Sequence, residues 1–134
     1  MQKEILIVVI IVVAIITLNY ITTSYTRNGF EQVNSKLDAI KNIGNELLNE
    51  EKEENITLIS EKIKDLEDEW KIINKKTSFY LEHDELEKVN SSMVKFKSFF
   101  ELGEYSEAIP ELENCKYILD HIRDKEAMQI INLF

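Results

Sequence analysis

The chain has 134 residues, with 16 Lys and Arg against 25 Asp and Glu, a formal net charge of −9. An acidic surface repels phosphate, so nucleic acid is excluded as an expected partner, and lying flat on anionic lipid is disfavoured. Three Gly and one Pro leave little turn material, which favours long helices over a β-fold, and the lone Cys115 has no partner for an internal disulfide.

After a four-residue tail, Met1 to Glu4, comes an apolar run from Ile5 through Ile10, Ala14 and Leu18 to Ile21. Its seventeen positions give roughly 25 Å of helix. A bilayer core needs roughly 17–25 residues. Thr22 and Thr23 can extend the run, since a threonine hydroxyl bonds back to its own helix. Tyr20 and Tyr25 suit the headgroup layer. Residues 5–23 therefore read as a transmembrane helix in contact with the lipid bilayer. A cleaved signal peptide leading to a secreted soluble factor is the alternative. No Ala-x-Ala-like site follows the run, which favours the anchor. The flanking charges nearly tie, Lys3 beside Glu4 on one side and Arg27 on the other. The expected orientation is the usual one for a short N-terminal anchor, with the N-terminus cytoplasmic and the body outside the cell membrane.

Residues 24–29 are expected to form a juxtamembrane linker, with Asn28-Gly29 as the first break. Residues 30–134 form the body. Without Lys3, Arg27 and Glu4 the chain keeps 14 basic and 24 acidic residues, a net of −10. Phe30, Val33, Leu37, Ile40, Gly44 and Leu47 follow 3-4 spacing and share one helical stripe. The charged stretch Asn49 to Asn55 reads as a turn. Ile56, Ile59, Ile63, Leu66, Trp70, Ile73, Thr77 and Tyr80 form the longest stripe, and Trp70 on it reads as core. After a polar corner at His83-Asp84-Glu85 come Leu86, Val89, Met93, Phe96 and Phe100. Gly103 suits a helix end, because glycine accepts the left-handed conformation there. Tyr105, Ala108, Leu112, Cys115, Leu119 and Ile122 make the last stripe, with Pro110 early in it. Asp120 to Lys125 reads as another polar corner, and Ala127 to Phe134 as a short apolar tail.

The expected fold class is all-α: one transmembrane helix followed by a small antiparallel helical bundle. Its core includes Ile63, Leu66, Trp70, Ile73, Phe96, Leu112 and Leu119. A dimeric coiled coil is the competing arrangement, so a homo-oligomer is possible.

Chemistry-bearing motifs are sparse. His83 and His121 each stand among carboxylates, with Asp84 and Asp124 as neighbours. If the two corners met, these four residues could hold a metal and support a metal-dependent hydrolase. No His-x-x-x-His, Glu-x-x-His or Asp-rich calcium loop supports that arrangement. Cys115 falls on a stripe, as a structural thiol does. No nucleophile elbow or Gly-rich phosphate loop occurs. The expectation is a non-enzymatic protein without catalytic residues, cofactor or metal, which meets an unidentified protein partner at the membrane.

Several short motifs in fixed order carry a resemblance. They are Trp70, then Glu82-His83-Asp84-Glu85-Leu86, then Ala108 with Glu111-Leu112, then His121-Ile122 with Lys125-Glu126, and finally Asn132-Leu133-Phe134. In this order the chain resembles a bacterial domain-of-unknown-function family, number 4363. Arg123 stands where many relatives have a proline, and Asn49 to Asn55 aligns poorly. The resemblance implies a membrane protein of Gram-positive type with an extracytoplasmic helical domain. It implies no activity, ligand or catalytic residue.

Overall fold

The computed structural model describes the backbone of residues 1–133 and side chains through Gln129. Phe134, the end of the expected apolar tail, lies outside the described residues. The described chain is all helical: α1 Gln2–Asn49, α2 Glu53–Thr77, α3 His83–Glu101 and α4 Tyr105–Leu133.

The first correction concerns α1. The expected tail is helical from Gln2, and the expected break at Asn28-Gly29 is absent. One helix of 48 residues, about 72 Å long, joins the apolar run to the first stripe. Packing explains why the glycine does not end it. Gly29 is buried, and a Cβ there would stand 3.4 Å from Ile73 on α2. The glycine lets two helices approach, and neighbouring contacts offset its low helix propensity.

The turn Glu50–Lys52 leads into α2, whose first turn carries Glu53 and Glu54 and whose last turn carries Lys75 and Lys76. Both ends complement the helix dipole. The α3–α4 connection is a Schellman turn. Gly103 has φ +74, its N–H donates to the Phe100 carbonyl at 3.1 Å, and the Glu104 N–H donates to Phe99 at 2.9 Å.

Within α4, Pro110 stands beyond the first turn, so the carbonyl of the exposed Ser106 has no N–H of residue 110 to accept from. The expected corner at Asp120–Lys125 is also absent, since α4 runs through it. Ile122 there is buried, while Arg123 pairs with Asp120 at 3.3 Å and Asp124 at 3.2 Å. Those polar side chains line the wet face of a continuing helix.

One core unites the four helices. It contains Phe30, Val33, Leu37 and Ile40 from α1 and Ile63, Leu66, Trp70 and Ile73 from α2. Phe96 comes from α3, and Leu112 and Leu119 come from α4. The α1–α2, α1–α4 and α3–α4 seams are extensive, whereas α2 and α3 barely touch. Small residues bring α3 and α4 together: Ser92, Ala108 and Cys115 are all buried.

Ion pairs and hydrogen bonds set the registers. On α1 and α4, Asn34 meets Asp120 at 2.8 Å, Asp38 meets Lys116, and Lys41 meets Glu113 at 2.8 Å. Lys36 bridges to Glu69 of α2 at 2.7 Å and also to Asp65.

Candidate functional site

The sparse α2–α3 seam leaves a cleft of about 490 Å³ at the end of the bundle farthest from the apolar run. Ile56, Ile59 and Ile63 of α2 face Phe100 of α3 across it, and Leu47 and Tyr105 close its end. Its rim is charged. Lys97 reaches Glu67 at 2.9 Å and Glu101 at 4.0 Å, and Lys64 stands nearby. The hydrogen bond that Lys97 donates to Glu67 holds its ammonium above the ordinary pKa. Tyr105 donates its hydroxyl to Glu51 at 3.3 Å, and burial pushes its phenol up. An apolar floor with a paired charged rim suits an amphipathic partner.

Two bonds cross the thin seam, one above the cleft and one on its rim. The Trp70 indole N–H donates to Asn90 Oδ1 at 2.7 Å, and Lys97 makes the ion pair with Glu67. Trp70 also lies 5.7 Å from the Phe30 ring, centre to centre. Its indole is buried, so it offers no face to a ligand.

His83 is exposed at the start of α3, and His121 is exposed on the outside of α4, stacked on Tyr117 at 6.3 Å. Among the described residues no group of three His, Cys, Asp or Glu side chains could hold an ion. Asp84 and Asp124 are exposed, and Asp124 pairs with Arg123. Asp120–Lys125 is part of α4 rather than a corner, and its Lys125 meets Glu82 at 3.3 Å and Glu85 at 3.1 Å, so the two polar segments are neighbours.

Cys115 is wholly buried, and burial pushes its thiol up to about 12. The buried Ser92 hydroxyl beside it donates to the Glu111 carbonyl at 3.1 Å. Such a thiol is inert packing material.

The apolar run is placed quite differently from the core. Ile5, Ile10, Ala14, Leu18 and Ile21 are all exposed along a helix with no neighbour. Among the described residues α1 is the one helix long and apolar enough to cross a membrane, and none of its most apolar window is buried. Signal sequences share that length and composition.

A family model described as Domain of unknown function (DUF4363) matches residues 20–133. The chain belongs to that family. The match covers the bundle and begins at Tyr20, leaving Ile5–Asn19 outside it. The family's description assigns no activity. No curated protein and no solved structure matches the chain.

The cleft was not legible as a motif. Its residues belong to four stripes, and the one sequence trace is apolar Ile56 at the start of α2, which is exposed.

Proposed function

We propose that this protein is a single-pass membrane-anchored interaction module, an antiparallel bundle that presents the α2–α3 cleft to a protein partner at the bacterial cell envelope. One observation carries the reading: a fully exposed apolar helix runs without a break into a packed, acidic bundle. In water, so long an exposed apolar surface is unfavourable, and a bilayer removes that penalty. The opposed order of partners on α1 and α4, from Asn34–Asp120 to Lys41–Glu113, supports the antiparallel arrangement.

Retention of the anchor is favoured over cleavage by how residues 22–29 are used. Thr26 and Gly29 are buried, and the Thr22 carbonyl accepts a bond from Tyr80. Proteolysis prefers exposed loop tips, not helix backbone fixed by packing. In this reading the body lies outside the cytoplasm, and its partner is a protein rather than nucleic acid. Binding, not catalysis, is the proposed activity.

Charges at Val9 and Val13 test the anchor. Each costs about 2.5–3.5 kcal/mol near the centre of a bilayer. Wild type should stay with membranes after alkaline extraction, and Val9→Lys with Val13→Lys should not. Equal retention of both would defeat the anchor. Protease added outside intact cells should digest the body; full protection would reverse the orientation. For the partner, cross-linking in native membranes followed by pull-down should recover a band that Ile59→Glu and Lys97→Glu abolish. A band unaffected by both changes would move the partner away from the cleft.

A further inference from the structure

We propose that the α2–α3 turn is a second membrane contact, with Phe79 seated in the lipid headgroup layer beside the end of the anchor. The inference rests on the anchoring reading and adds a surface to it.

The turn's level along α1 is set by two independent contacts. The Tyr80 hydroxyl donates to the Thr22 carbonyl at 3.2 Å and accepts from the Thr26 hydroxyl at 2.7 Å. One turn back on α2, the Lys76 ammonium stands 5.4 Å from the centre of the Tyr25 ring. Phe79 lies between these anchoring residues in sequence, so it falls near Thr22. That is where the exposed apolar run ends, one residue after Ile21. Yet Phe79 is 86% exposed. Among the described residues it is the most exposed aromatic ring, whereas Phe30, Phe96 and Phe100 are buried. An aromatic ring at the boundary between hydrocarbon and water is favoured at a membrane surface.

Local charge agrees. The body is acidic, but Lys75 and Lys76 end α2 and Arg27 follows the apolar run, all three exposed. Three carboxylates stand beside Tyr80 at this end: Glu82 and Glu85 are bound to Lys125 at 3.3 Å and 3.1 Å, and Glu126 is half-buried. Asp84 remains exposed on the α3 side. The Phe79 side of this end therefore presents cations to the bilayer, and each lysine near an anionic surface adds attraction. Met128 of α4 is also exposed. By the register of Asp120 with Asn34 it faces the same end.

The test uses the full chain in vesicles of phosphatidylcholine with a minority of phosphatidylglycerol. Phe79→Cys is labelled with a polarity-sensitive fluorophore, and Leu102→Cys serves as the control. Leu102 is 71% exposed at the α3–α4 turn, at the opposite end of the bundle. Buried Cys115 does not compete for the label. The expected result is a blue-shifted label at 79, shielded from iodide and quenched by lipids that carry a headgroup nitroxide. The label at 102 should remain fully open to iodide. Equal iodide access at both positions in vesicles that carry the floated chain overturns the contact while leaving the anchor intact. A chain that fails to float with vesicles overturns both readings.

Discussion

Trp70 and Asn90 are joined by a 2.7 Å hydrogen bond that crosses the thinnest seam of the bundle. The bond satisfies the buried indole N–H on one side and orients α3 against α2 on the other. Asn90→Ala leaves that donor without an acceptor, at a cost of about 1–3 kcal/mol. Trp70→Ala removes a large aromatic from the core and should cost about 3–5 kcal/mol. Urea unfolding of the two single variants and the double variant gives their coupling. Additive losses would show that the bond contributes nothing of its own.

Gly44 tests whether the cleft can yield. A Cβ at this position would stand 3.1 Å from Phe100 Cε1 and 3.4 Å from Ile109 Cγ1. Alanine gains about 0.5–1 kcal/mol of helix stability over glycine, and the Phe100 ring has open space beside it. Gly44→Ala should therefore change stability by less than about 1 kcal/mol. Gly44→Leu overfills the site and should cost about 1–3 kcal/mol. Equal losses in the two variants would mean that Phe100 is fixed.

Cys115 should be silent in the folded protein. With its thiol pushed up to about 12, only about one molecule in ten thousand carries a thiolate near pH 8. Iodoacetamide should leave the native chain unmodified for hours and alkylate it fully in concentrated guanidinium. Rapid native modification would require the α3–α4 seam to open readily.

Glu126 gives a pH dependence of defined sign. Burial holds its carboxyl above the ordinary carboxylate range, and Lys125 opposes that shift. The folded state therefore binds this proton more tightly than the unfolded chain does. The resulting stability is present at low pH and is lost as pH rises through the folded pKa. Glu126→Gln mimics the neutral acid, so it should raise Tm at neutral pH. The gain should shrink near pH 4, about where an unperturbed glutamate titrates. A gain that stays constant between those conditions would separate it from ionisation.

Much of the helical pattern was legible because it depends on local spacing. Leu86, Val89, Met93, Phe96 and Phe100 repeat at 3-4 intervals, and all five are buried. Gly103 marks a helix end by a property of its own backbone. Asn28-Gly29 and Asp120–Lys125 misled because they resemble turns only in isolation. Ile73 packed on Gly29 and Ile122 buried in the core hold each segment helical. The cleft was not legible because a stripe tells which face is apolar and not how closely two helices approach. The level of Phe79 was hidden for a similar reason, since a bond between residues 58 positions apart sets it.

The unbroken α1 makes the bundle a lever. From Ile21 to Leu47 the helix extends about 39 Å with no joint. Membrane helices tilt by about 20° on average, and bilayer thickness adjusts that angle. A tilt of that size displaces the far end sideways by roughly 13 Å. On the proposed anchored reading, a neighbour held at the cleft would thus be carried across the membrane surface as the surrounding lipid changes thickness.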